Sequence, residues 1–239
     1  KKFKNLKIVS VFGVGYDGVD MSASAPSFQI SGTIGAQESR DVMLNTTIQS
    51  GGILTSDNGS YKLTATSIDL QSGGEIDIDN GEIECAVSFS HSGVLDMSGG
   101  TLDINGDYTS AATCTETISG GTITISGAWT GTNGNNFTPT GGTVTFDGSS
   151  DKIILTHSDA NFYHLTISNT VANVIFNGSS NTFTNAVTFQ NDGTLTFGNS
   201  TDDSFTFNGG LTTSSVGGTV TLNTNISSSD DALTFGAIT

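Results

Sequence analysis

Apolar and polar side chains alternate in short runs along nearly the whole chain, with glycine, serine or asparagine between the runs. In the stretch Gly120–Ile125, Thr122 and Thr124 fall on one side and Ile123 and Ile125 on the other, the two-residue period of a half-buried strand. The pairs Ile68 with Leu70, Val187 with Phe189, and Phe205 with Phe207 follow the same rule. Short strands therefore arrive roughly every 8–10 residues, the rhythm of an all-β chain with frequent turns.

Superimposed on this pattern is an internal repeat. A Gly-Gly pair followed by alternating residues recurs as GGIL from Gly51, GGEIDI from Gly73, GGTLDI from Gly99, GGTITI from Gly120, GGTVTF from Gly141 and GGTVTL from Gly217, with DGTLTF from Asp192 as a variant. Gly99, Gly120 and Gly141 are 21 residues apart, and Val144 with Phe146 returns 21 residues later as Leu165 with Ile167. A coil of about 21 to 26 residues holds two or three short strands, which is one rung of a β-helix. The repeat predicts an all-β, right-handed parallel β-helix (β-solenoid) of roughly nine rungs over residues 26–239, preceded by an N-terminal arm or cap over residues 1–25. The alternative is a tandem β-sandwich, but near-identical strands at a fixed period fit it poorly, because each sandwich strand meets a different environment. Rung boundaries are least defined from Val171 to Asp192, where an insertion breaks the 21-residue period.

Composition agrees with strands and turns. The chain has 31 Gly, 2 Pro and 13% charged residues, and ten of its 14 Phe lie between Phe137 and Phe235, so the second half is expected to hold the bulkier core. Four of the seven basic residues are Lys1, Lys2, Lys4 and Lys7, which leaves three against 23 acidic ones from residue 8 onward. So acidic a body does not suit nucleic acid or anionic membranes, and no stretch has the length of a transmembrane helix.

The segment Trp129 to Thr170, with WTGTNGNNFTPTGGTVTFDGSS and then NFYHLTISNT from Asn161, resembles the degenerate repeats of bacterial surface and secreted β-helix proteins, both adhesin-like and autotransporter-passenger-like. The resemblance covers about 40 residues well, and the Gly-Gly motif extends it loosely from Gly51 to Phe235, whereas residues 1–45 do not match. It implies a fold and an extracellular or cell-surface location. That group has no common active site to carry over.

Candidate chemistry is sparse. A polysaccharide lyase-like enzyme needs paired carboxylates or a cation that stabilises an anion, yet beyond residue 7 only Arg40, Lys62 and Lys152 are basic. No catalysis and no cofactor is expected. The densest acidic run places Glu75, Asp77 and Asp79 on alternate positions, where they serve as a solvated outer face or as oxygen ligands for calcium. His91, His157 and His164 lack metal-ligand spacing and are expected at the surface or in turns. Cys85 and Cys114 suit either one bridge or two free thiols. The Thr-x-Thr pairs Thr122/Thr124, Thr143/Thr145, Thr194/Thr196 and Thr219/Thr221 would make a flat hydroxyl face for sugar or ice if all of them stack together. Asn-x-Ser/Thr triplets begin at Asn45, Asn58, Asn136, Asn177, Asn199 and Asn225, as the composition produces without selection for glycosylation.

The N-terminal segment is partly signal-like: a basic stretch, an apolar run from Ile8 to Val14, and Ala23-Ser24-Ala25. Asp17, Asp20 and Pro26 count against that reading. As a strand, Ile8, Val9, Val11, Phe12 and Val14 would cap the first rung or add to a neighbouring subunit, with the lysines on its acidic body. The other end stops in mid-pattern at Leu233–Thr239, which suits either a piece of a longer repeat protein or an edge that meets another subunit head to tail. The expected function is an extracellular structural protein, a self-assembling surface fibre, sheath or adhesin-type module. The second expectation is a carbohydrate- or ice-binding solenoid.

Overall fold

The computed structural model describes residues 28–35, 40–41, 45–132, 137–156 and 159–239. Among them every regular element is a strand, and the strands stack in parallel as a β-solenoid of about nine turns. At about 4.8 Å per turn the stack is on the order of 45 Å long. No helix among the described residues is long and apolar enough to cross a membrane.

Each turn visits three faces. The first face runs through the leading halves of Lys62–Leu70 and Glu82–His91, then Thr101–Ile104, Thr122–Ile125, Thr143–Phe146 and His164–Ile167. Val187–Thr188 follows beside His164–Ile167 and is itself extended by Leu211–Thr212 and Leu233–Thr234. The second face comprises Phe28–Ile30, Asn45–Ile48, the trailing halves of the two long strands, Asp107–Ser110, Trp129–Gly131, Lys152–Leu155, Val174–Asn177, Leu195–Phe197 and Val220–Leu222. Because Lys62–Leu70 and Glu82–His91 run on round one corner, these two faces share a 15-stranded sheet. The third face begins as Thr33–Gly35, Ile53–Ser56, Glu75–Ile78, Val94–Met97 and Thr115–Ile118. It resumes as Asp159–Phe162, Ser180–Phe183, Ser204–Phe207 and Asn225–Ser228. Between these two sets the Thr140 amide donates to the Ile118 carbonyl and the Asn161 amide to that of Phe137.

Strand alternation puts one residue in two into the lumen, and parallel register stacks these residues into columns. On the second face Ile68, Phe89, Tyr108, Trp129, Ile154, Phe176 and Phe197 follow one another turn by turn, all fully or almost fully buried. The second half does hold the bulkier core: Phe183 stacks on Phe207 with ring centroids 4.5 Å apart and planes 6° apart.

The Gly-Gly pairs explain how so narrow a coil turns its corners. Gly121 adopts φ of +77°, and a Cβ there would lie 2.2 Å from the Gly99 carbonyl oxygen of the turn below. Glycine alone satisfies both the left-handed backbone and the close approach of stacked turns. Polar residues stack as well: Asp151 Oδ1 accepts from the backbone and side-chain nitrogens of Asn173, whose own Oδ1 accepts from the backbone N–H and hydroxyl of Thr194. Cys85 and Cys114 are both free thiols, so no bridge joins them.

Candidate functional site

The Gly-Gly motif does not mark one face. It introduces Ile53–Ser56 and Glu75–Ile78 on the third face, Thr101–Ile104, Thr122–Ile125 and Thr143–Phe146 on the first, and Val220–Leu222 on the second. The eight threonines therefore do not form a single array, contrary to the sequence expectation. Thr122, Thr124, Thr143 and Thr145 share the first face, whereas Thr196 and Thr221 pair on the second, with Thr194 and Thr219 just ahead of those strands. A turn-strand unit with an alternating strand solves any corner of a solenoid, so its recurrence fixes local shape and not location.

What the first face does carry is a shorter hydroxyl ladder of two columns. Thr101, Thr122 and Thr143 stack in register, with His164 after them, and Asp103 leads into Thr124, Thr145 and Thr166. Below it the ladder turns acidic. Glu82 and Glu84 stand beside Thr101 and Asp103, and the Lys62 ammonium bonds Glu82 at 2.8 Å and Glu84 at 2.5 Å. Those two carboxylates raise the Lys62 pKa. Burial, reinforced by Glu84, raises the Asp103 carboxyl. The second face presents a different strip, with Ile153 and Ile175 in register and exposed ahead of Thr196 and Thr221.

Glu75 and Asp77 do lie on the outer side of the third face, opposite buried Ile76 and Ile78. Among the described residues, however, the carboxylates that converge are those of Glu82, Glu84 and Asp103, and not Glu75, Asp77 and Asp79. Asp79 instead accepts a hydrogen bond from the Ser98 hydroxyl. Lys152 is buried and donates to the Ser126 carbonyl and the Ser150 hydroxyl, while burial lowers its pKa.

The largest departure from expectation is His91. It is completely buried, whereas His164 is exposed and His157 lies outside the described residues. His91 occupies the inward position that Leu70 holds one turn below, stacked on the Phe89 and Tyr108 rings. Its Nδ1 is 2.8 Å from the Tyr108 hydroxyl and 3.6 Å from Glu116 Oε1. Glu116 takes the inward position of Leu95 on the third face, and its side chain is only 2% exposed. The thiol of Cys114, in the turn between the two faces, lies 3.3 Å from the same carboxylate oxygen. Burial lowers the His91 pKa to about 4, which the Gly93 backbone offsets only in part. Burial, and then the Glu116 charge, push the Cys114 thiol and the Tyr108 phenol up. The signal for this cluster was available in the 21-residue period: aligned turn on turn, a histidine and a glutamate stand at positions that leucine fills elsewhere.

The candidate arm residues Ile8, Val9, Val11, Phe12 and Val14 lie outside the described residues. Of the asparagines that begin Asn-x-Ser/Thr triplets, Asn177 is buried, while Asn45, Asn58, Asn199 and Asn225 are exposed. Comparison with protein-family models, with curated proteins and with solved structures returned no match.

Proposed function

We propose that the chain is a non-enzymatic rod module of an extracellular or cell-surface protein, mechanical or adhesive in role, that self-associates along its axis. The observation that supports this reading is the stack of parallel turns around one core cluster, with a 15-stranded sheet along two of its faces and shorter ladders along the third. Such a stack resists bending and shear because each inner turn packs against, and hydrogen-bonds to, the turns on either side of it. A solenoid also offers strand edges at its two ends, to which another strand can add. The strongly acidic composition favours basic surfaces or cations as ionic partners over nucleic acid.

Two measurements test this. Protease treatment and antibody labelling of intact cells of the source organism should reach the protein, and a strictly cytosolic signal would sink the location. Negative-stain electron microscopy of the full chain, beside a version lacking residues 1–25, should show filaments that the truncation abolishes. Short monodisperse rods from both would sink axial self-association.

A second reading rests on the first-face ladder of Thr101, Thr122, Thr143, Thr124, Thr145 and Thr166. Its hydroxyls repeat at strand spacing in one direction and at two-residue spacing in the other, a regular lattice suited to a repeating ligand such as a glycan polymer or ice. Binding that is lost in Thr124→Lys and Thr145→Lys, but kept in Thr196→Lys and Thr221→Lys, would favour it over a purely mechanical role.

A further inference from the structure

We propose that His91, Cys114 and Glu116 form a binding site for one divalent transition-metal ion of the zinc class, set in the lumen at the corner between the second and third faces. Three different donors converge there: an imidazole nitrogen, a sulfur and a carboxylate oxygen, all within 4.8 Å of one another. Nitrogen, sulfur and carboxylate together are the ligand set that zinc and its neighbours take, whereas calcium and magnesium prefer oxygen alone. The spacing also fits. Ligands placed tetrahedrally around zinc at about 2.0–2.3 Å stand roughly 3.3–3.7 Å from each other. Nδ1 to Oε1 is 3.6 Å and Sγ to Oε1 is 3.3 Å, and the imidazole-to-sulfur spacing is within 4.8 Å, so two of the three spacings already match and the third is to close on binding.

The position of these groups needs a physical cause. His91 and Glu116 sit where the columns otherwise carry Leu70 and Leu95, in a lumen lined by Ile78, Met97 and Ile118. The Glu116 carboxylate has donors in Tyr108 and Cys114, and a cation beside it would add the opposite charge that a buried carboxylate favours. His91 does not supply that charge at neutral pH, because burial keeps it neutral, and a neutral imidazole has the lone pair a metal requires. Tyr108, whose hydroxyl faces both His91 Nδ1 and the Glu116 carboxylate, can turn its proton to the carboxylate and leave Nδ1 to the ion. The half-exposed Cys114, beside exposed Ala112 and Thr113, gives the way in. On binding, the thiol yields its proton to solvent as sulfur bonds the ion, and the charge of the thiolate and carboxylate balances the divalent cation. Three protein ligands leave a fourth position for water. The group Glu82, Glu84 and Asp103 does not compete as a candidate, being all oxygen and already bonded by Lys62.

The test is titration of the metal-free full chain with cobalt(II), a spectroscopic stand-in for zinc, followed by competition with zinc. One equivalent should bind with a sulfur-to-cobalt charge-transfer band. Cys114→Ser should abolish the band, and Glu116→Gln should weaken binding by at least about 10-fold, the smallest loss expected even for an outer partner of a ligand. Cys85→Ala and Glu84→Gln should change neither. Far-UV circular dichroism confirms that each variant keeps its β-signature. In the unaltered chain, zinc should also slow the reaction of Cys114 with a thiol reagent, and a chelator should restore it. A folded chain that binds no stoichiometric cobalt overturns the site, as does a band that survives Cys114→Ser or falls with Glu84→Gln.

Discussion

Asp77 and Asp96 stand directly opposite each other on adjacent turns of the third face. Burial is the first cause that raises the Asp77 carboxyl above 3.8, and the charges of Asp79, Asp96, Asp57 and Glu75 add to it. A carboxyl whose folded pKa lies above its unfolded value stabilises the fold most when protonated, and that contribution is lost as pH rises through the folded value. Ionised Asp77 is thus a small liability at neutral pH. Asp77→Asn should raise stability at pH 7 by about 0.5 kcal/mol, because like charges directly opposite in a sheet repel while solvent screens them. Urea midpoints at pH 7 and pH 3 check this: the gain should appear at pH 7, shrink in high salt, and disappear at pH 3. An unchanged midpoint at pH 7 would show that screening has cancelled the repulsion.

The parallel solenoid was legible because two signals agreed: alternation gave the strands, and the 21-residue return of Gly99, Gly120 and Gly141 gave the stacking of turns. The faces were not legible from the motif itself. GGTITI at Gly120 and GGTVTL at Gly217 read alike, yet one opens a first-face strand and the other a second-face strand. The coil changes which corner it tightens by varying the lengths of its turns, and no local residue records that choice. His91 was misread for another reason. Two-residue alternation from Phe89 and the 21-residue return from Leu70 both put His91 inward, but a polar residue at the end of SFSH reads as the start of a turn unless those two signals are applied to it.

Gly121 and Gly32 should respond very differently to the same substitution. Gly121→Ala places a Cβ 2.2 Å from the Gly99 carbonyl oxygen and forces an L-residue to φ of +77°, so a loss of about 2 kcal/mol or more is expected. At Gly32 a new Cβ meets nothing within 4 Å. Gly32→Ala should stay within about 0.5 kcal/mol of the parent, with thermal midpoints as the readout. Equal losses at both sites would mean that the close approach of stacked turns is not what selects glycine.

The two thiols should also separate kinetically. Cys85 is fully buried with its Sγ 2.7 Å from the Ser88 carbonyl, while Cys114 lies half-buried in a turn. In chelator, a thiol reagent should label one cysteine slowly under native conditions and both in urea. Peptide mapping should assign the native label to Cys114, whose raised pKa keeps that rate below that of an unburied thiol. Native labelling at Cys85 would place an opening at the corner near exposed Val87.

Phe183 offers a test of how the solenoid holds together along its axis. Its ring is fully buried and lies near those of Phe162, Phe176, Phe205 and Phe207, so it touches columns from several turns at once. Phe183→Ala should cost about 3–5 kcal/mol through lost burial and the cavity left behind. In a stack where each turn contacts only its neighbours, such a loss is not shared evenly; it weakens the coupling between the turns on either side. Trp129, the one tryptophan, is buried on the N-terminal side of Phe183 and is one ring removed from it, packing on Phe162, which stacks on Phe183, so it reports on the turns that precede the break. In the parent chain, Trp129 fluorescence and far-UV circular dichroism should therefore change together with urea. In Phe183→Ala the dichroism should begin to fall first, as the C-terminal turns unfold while Trp129 stays enclosed. If the two signals still coincide in the variant, the solenoid unfolds as one unit and the coupling between turns exceeds the stability of either half.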